Sequence, residues 1–171
     1  LLKQAIKDNN PVIFLENEIL YGQSFDFDPS ISITKIGKAQ VIKEGADLTL
    51  VSYSLQLKYA LEASSILEEK YGIQVEIIDL RTIRPLDYET IIKSVKKTNN
   101  LTIVDEGWPF ASVAGSISHN VQKEAFDYLD SPIECVNAKD VPLPYAQNLE
   151  KLALPSVIEI VEIVLKQLNK S

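Results

Sequence analysis

Short continuous apolar runs alternate along this chain with longer segments whose apolar positions recur every three or four residues, the pattern of buried strands separated by amphipathic helices. Residues 1–8 read as the end of a helix, Asn9-Asn10-Pro11 as a break, and residues 12–15 as a short buried strand. From Glu16 to Lys35 the chain carries Gly22, Pro29 and several Ser and Asp residues without helical period, which predicts a long connection between two folded units. The expected division is residues 1–20 as the end of one domain, 21–35 as linker and 36–171 as a second domain.

Past the linker, residues 36–43 and 47–52 flank Glu44-Gly45, which predicts an antiparallel hairpin with Gly45 supplying a positive φ. Residues 55–70 read as a helix with Ser54 as N-cap, Gly72 as its stop, and Leu57, Ala60, Leu61 and Leu67 on one stripe. A strand over 73–80, a helix capped by Asp87 and running through Lys97, and a short apolar strand at 101–104 of the kind buried on both faces follow. Then come a helix over 112–126, a strand over 133–136, a Pro-rich turn at 141–144 and a last helix from Pro155. Helices of this length between short apolar strands predict parallel crossovers. The fold class is therefore an α/β three-layer sandwich around a mostly parallel sheet with one antiparallel edge strand. In the last helix Glu159, Glu162, Lys166 and Asn169 form a narrow polar stripe, and the broad apolar remainder predicts cover by a second domain or subunit.

Composition narrows the class. The 171 residues are 46% apolar and 24% charged, which suits one ordinary domain with a fragment of a neighbour and argues against a disordered or collagen-like chain. No apolar run approaches the ~20 residues that span a bilayer, so no membrane is expected. With 17 Lys and Arg against 24 Asp and Glu, the net charge of −7 disfavours nucleic acid and favours basic protein partners. Methionine is absent and the chain opens at Leu1, so we expect a piece upstream to be missing, by truncation rather than signal cleavage. Cys135 stands alone, which rules out an internal disulfide and suits a reducing compartment.

The chemistry on offer is sparse. HExxH, CxxC, P-loop, GxGxxG and GxSxG patterns are all missing. His119, the single histidine, falls mid-helix and reads as a surface or boundary residue in preference to a catalytic one. Glu16 and Glu18 would share a side of an extended chain as a conceivable acid pair, with a solvated linker the preferred reading. Asp105 and Glu106 point apart in extended chain and read as structural, either one receiving backbone N–H groups of the Gly107-Trp108-Pro109 turn. Arg81 and Arg84 could hold an anion at a strand's carboxyl end, or pair with a carboxylate to fix their loop, and the pair is preferred. Ala111, Ser112, Ala114, Gly115 and Ser116 would let a helix's first turn pack closely or offer N–H groups to an anion, packing being the commoner use. Asp127 and Asp130 stand at a helix end, where the macrodipole disfavours acids; a basic partner would account for them, as would a plain exposed acidic loop.

The segments NPVIFLENEILYG, DLRTIRPLDYETI, VDEGWP, KDVPLPYA and NLEKLALP, in that order, resemble the beta subunits of pyruvate dehydrogenase. The resemblance spans the whole chain but only the C-terminal half of such a subunit, starting inside the last helix and strand of its pyrimidine-binding domain. EGWP followed by PLPYA favours the pyruvate enzyme over its branched-chain relatives; a related 2-oxo acid or acetoin dehydrogenase subunit, or a stand-alone anion-binding module, are the alternatives. The resemblance implies thiamine-diphosphate-dependent oxidative decarboxylation of pyruvate with acetyl transfer to lipoyl, carried out by an intact heterotetramer. Thiamine diphosphate and magnesium would be held there by groups outside this chain. No catalytic, cofactor-binding or metal residue is therefore assigned, and the chain alone is expected to be inactive.

The resemblance further implies a transketolase C-terminal fold that contacts the alpha subunit and a second beta subunit. It also implies anchoring of the dihydrolipoyl acetyltransferase through its peripheral subunit-binding domain. The family uses an acidic residue of the segment matching LDSP, here Asp130, together with the chain-terminal carboxylate, here on Ser171, a residue or two past the usual end. SVAGS departs from the GVG that relatives carry after the tryptophan loop. A cytoplasmic location is expected, with the mitochondrial matrix as the alternative.

Overall fold

The computed structural model describes residues 1–24 and 34–170. Strands β1 (Gln40–Lys43), β2 (Leu48–Ser52), β3 (Val75–Asp79), β4 (Leu101–Asp105) and β5 (Glu134–Asn137) form one sheet in the order β1-β3-β2-β4-β5. All pairs are parallel except the edge strand β1, which runs antiparallel to β3. Helices α2 (Leu55–Tyr71), α3 (Tyr88–Thr98) and α4 (Val113–Ala125) supply the crossovers, and α1 (Leu2–Lys7), α5 (Gln147–Ala153) and α6 (Val157–Gln167) complete the set. The three-layer sandwich with one antiparallel edge is the architecture the pattern predicts.

Period two along the strands sorts the core into two halves. Leu48 and Leu50 of β2, Val75 and Ile77 of β3, Val104 and Val136 pack on Ala60, Ala63 and Leu67 of α2 and on Ile160, Val161 and Val164 of α6. On the other face Val51, Ile78 and Ile103 meet Ile91 and Val95 of α3 and Ala114, Ile117 and Val121 of α4. Local chemistry sets the ends: Gly72 takes the left-handed conformation after α2, Asp87 accepts from the Thr90 N–H, and Ser112 accepts from the Gly115 N–H. Ser54 holds the N-cap position of α2 but at φ 56° and without a side-chain capping bond, outside the extended backbone a capping hydroxyl uses.

Four expectations are corrected. β1 and β2 are not a hairpin: β3 lies between them, so the Glu44-Gly45 turn joins two strands that share a neighbour. Gly45 is accordingly not at positive φ; a Cβ there would fall 2.3 Å from the Glu76 N, so the residue is small because β3's backbone passes against it. Residues 12–15 form no strand, and Ile13 and Leu15 are 88% and 82% exposed. A strand needs a neighbour for its N–H and C=O groups, and none of the described residues pairs with this segment. Leu61 likewise faces outward from α2, where Ser64 and Gln56 take buried positions. α5 arises in the stretch after the Pro-rich turn, which carries no strong apolar period. Most of the expected 21–35 linker lies outside the described residues.

Candidate functional site

The chain leaves β2 toward β3 and leaves β4 toward β5, so the carboxyl ends of these two adjacent central strands are where their connections diverge. Open α/β sheets bind ligands in such a crevice. Here the ends of the two strands are tied to each other. Asp105, 1% exposed at the end of β4, accepts from the Tyr53 O–H at 2.7 Å, the Gly107 N–H at 2.9 Å and the Ala114 N–H at 3.1 Å. Burial, reinforced by the hydrogen bond and charge of Asp105 and the charge of Glu106, pushes the Tyr53 phenol well above its usual range. The N–H groups of α4's first turn, which its small residues could offer to an anion, are thus answered by the chain's own Asp105 and Ser112. The structural reading of Asp105 holds, and Asp105 alone receives the turn's N–H groups.

The other sequence candidates do not converge. Arg81, at φ 57°, donates through Nε to Asp79 at 3.4 Å and through Nη1 to Thr34 at 3.2 Å, the loop-fixing pair preferred above. Arg84 is exposed. His119 is exposed on α4, and Glu16 accepts from the Tyr21 O–H at 2.7 Å on an exposed turn rather than pairing with Glu18. Cys135 is half-buried; burial first, then the charges of Glu134 and Asp105, raise its thiol to about 11. An open groove of about 500 Å³ beside β1 and α3 is lined by Glu44, Glu76, Lys93, Ser94 and Lys97 among others. Its buried Glu76 is already met by Lys97, by Ser94 Oγ at 2.5 Å and by the Gly45 N–H at 3.4 Å. Gln56, 2% exposed, has no hydrogen-bond partner for either amide atom.

Asp127 and Asp130 are both exposed, on the 3₁₀ turn Phe126–Tyr128 and the loop behind it. The backbone carrying Asp130 is held firmly. Its N–H donates to Asn99 O at 2.9 Å, and Asn99 Nδ2 donates to Tyr128 O at 2.8 Å. Next to it Ser131 Oγ donates to Asn100 Oδ1 at 2.7 Å. Asn99 has φ 60° at the C-cap of α3, so one left-handed residue both ends that helix and anchors the acidic loop. The tyrosine of the turn carries Lys96 Nζ 4.8 Å above its ring. Ser171 lies outside the described residues. Neither the Asn99–Asn100 anchor nor the glutamine behind it, Gln167, was singled out from sequence. Only consecutive asparagines closing a helix hinted at the first.

The family description "Transketolase, C-terminal domain" matches residues 37–160, over the whole sheet as seen here. The chain belongs to the transketolase C-terminal domain family. Over 166 residues it is 58% identical to the Pyruvate dehydrogenase E1 component subunit beta of Rickettsia felis, covering 97% of this chain and 51% of that one. It is 49% identical over 173 residues to the mitochondrial counterpart of Saccharomyces cerevisiae, covering 99% of this chain and 47% of that one. The chain thus spans about half the length of the curated relatives it matches. A solved split-gene transketolase, an inactive beta4 tetramer, superposes with a TM-score of 0.70 at 25% identity, covering 84% of this chain and 45% of that one. In this transketolase C-terminal domain, no three His, Cys, Asp or Glu side chains gather as metal ligands among the described residues. With the α4 N-terminus also taken by Asp105, the described residues do not fit a magnesium diphosphate.

Proposed function

We propose that this chain is the C-terminal part of a pyruvate dehydrogenase E1 component β subunit and that it serves assembly and docking while the reaction centre lies elsewhere. In this reading the assembly decarboxylates pyruvate oxidatively with thiamine diphosphate and magnesium and passes the acetyl group to lipoyl, and this portion contributes no reacting group. The identity shared with such subunits across nearly the full chain supports it. So does the end of β4, where the Asp105 carboxylate is already engaged by Tyr53, Gly107 and Ala114. The observation that carries the docking role is Asp130, an exposed carboxylate on a loop whose backbone is braced from two sides. A braced acid loses little freedom when it meets a guanidinium or ammonium, and a chain of net charge −7 draws a basic partner from a distance. The basic partner proposed is the peripheral subunit-binding domain of the acetyltransferase.

Subunit contacts belong to the same reading. Trp108 and Phe110 after β4 are 50% and 83% exposed, and Leu143 and Tyr145 after β5 are exposed as well. The two loops leave adjacent strands and are tied where the Ala138 N–H donates to Gly107 O at 3.2 Å. No Asp, Glu, Lys or Arg occurs in 107–122 or 141–149. A charge-poor apolar face on an acidic chain suits the alpha subunit or a second beta subunit better than it suits water. The same reading places the assembly in the cytoplasm.

Calorimetric titration of the purified subunit-binding domain onto this chain tests the docking role. Asp130→Lys should weaken binding by about two orders of magnitude, as expected when one partner of a close charge pair is reversed. Equal affinity for parent and variant would refute the assignment of Asp130.

A further inference from the structure

Gln167 is the last residue of α6 and lies in the part of that helix expected to be apolar, yet its amide is nearly enclosed and fully engaged. Oε1 accepts from the Thr102 O–H of β4 at 2.6 Å. The two hydrogens of Nε2 are shared among Pro132 O at 2.9 Å, Ser131 Oγ at 3.0 Å and Leu101 O at 3.1 Å. Three elements therefore meet on one side chain: the end of α6, the start of β4 and the loop that follows Asp130. Through Ser131 the chain of bonds continues to Asn100, whose Nδ2 donates to Asp47 O and Thr98 O at 3.2 Å each.

We infer that Gln167 is a positioning residue for docking: it locks the Ser131–Pro132 step to the sheet and so fixes where the Asp130 carboxylate stands relative to β4 and the end of α6. The inference rests on the docking reading given above and extends it to a residue that touches no partner. A brace of this kind matters because a fully satisfied buried hydrogen-bond network rigidifies what it holds, whereas an unbraced loop must be ordered when the partner binds. Leu and Met, the residues the apolar pattern calls for at this position, would fill the space and leave Thr102, Ser131 and two backbone carbonyls without it.

The test is a double-mutant cycle on the complete chain, read as the affinity for the purified subunit-binding domain: parent, Gln167→Ala, Asp130→Asn and the double variant. Gln167→Ala should weaken binding about fivefold when Asp130 is present and by less than about twofold in the Asp130→Asn background. Hydrogen exchange at the Asp130 amide should rise at least tenfold in Gln167→Ala while the β2 and β4 amides keep their order of protection; a merely structural role would speed all of them together. Gln167→Glu keeps the acceptor for Thr102 but loses both N–H donors, and should behave like Gln167→Ala. If Gln167→Ala does not fold, Ser131→Ala removes the joint between Gln167 and Asn100 and takes its place in the cycle. A folded Gln167→Ala or Ser131→Ala that binds like the parent, or one that loses the same affinity in both backgrounds, overturns the inference. If Asp130→Asn itself leaves binding unchanged, the docking reading falls first and this inference falls with it.

Discussion

Removing the carboxylate of Asp105 should loosen the two central connections at once. Asp105→Ala strands three donors. Ala114 is fully buried, so its N–H finds no water and costs about 2 kcal/mol when left unpaired. The Gly107 N–H and the Tyr53 O–H lie near solvent and can rehydrate, so each loses only the net worth of a hydrogen bond, about 1 kcal/mol or less. Some of this is returned because a buried carboxylate no longer has to be kept from water, which leaves a total of about 3 kcal/mol. Asp105→Asn retains one acceptor oxygen but turns an amide N–H toward a donor, and should cost about 2 kcal/mol. Glu106→Gln, one residue on and partly exposed, is the control and should stay within about 0.5 kcal/mol.

Urea unfolding at pH 7 measures these differences, and for a chain of this size 3 kcal/mol lowers Tm by about 6–12 °C. Trp108 is the chain's single tryptophan and sits on the connection that Asp105 holds, so acrylamide quenching of its emission should increase in Asp105→Ala. An Asp105→Asn protein as stable as Glu106→Gln, with unchanged quenching, would refute the view that Asp105 organises this end of the sheet.

Four further outcomes are expected. Gln56→Met should be neutral or raise stability by about 1 kcal/mol, because both buried amide atoms lack partners; a loss above 1 kcal/mol would reveal partners not seen here. Asp87→Ala should cost about 1–2 kcal/mol at pH 7 through loss of the α3 cap. Burial raises the Asp87 carboxyl, but hydrogen bonds from Thr90 and the Ala39 N–H, with the nearby Lys38, outweigh it and leave its pKa lowered. A lowered carboxylate stabilises the fold above its unfolded pKa and stops doing so as pH falls through the folded one, so the gap between parent and variant should close below about pH 4. With its thiol at about 11, Cys135 should react with iodoacetamide at pH 8 about two orders of magnitude slower than a free cysteine, and a rate like the free thiol's would contradict its burial. Phe110→Glu with Tyr145→Glu should lower any self-association seen by sedimentation, and unaltered association would move the subunit contact away from these loops.

Much of the fold was legible because it is written in short-range chemistry. The Gly72 stop, the Asp87 cap and the short apolar-rich runs of β2 and β4 depend on residues within a few positions of one another. The hairpin was misread because two consecutive strands joined by Glu44-Gly45 look the same whether they bond to each other or to a third strand between them. Gly45 was misread with it, since a glycine needed for a close backbone approach cannot be told by sequence from one needed for a turn. The site divides in the same way. Asp130 was reached through resemblance and through its unfavourable place at a helix end, while its anchors were not, because Asn99, Asn100, Ser131 and Gln167 are scattered in sequence and unremarkable as residue types.

By itself the sequence determined the α/β class, the order of the strands and of every helix but α5 after residue 36, and the net negative charge, all of which follow from periodicity, caps and counted charge. Tertiary structure alone decided which strand lies beside which, that Tyr53 after β2 bonds to Asp105 at the end of β4, and that Gln167 reaches the loop of Asp130. The reason is distance along the chain: caps and periodic stripes join near neighbours, whereas strand order and these hydrogen bonds join residues tens of positions apart, which only the packed sheet brings together.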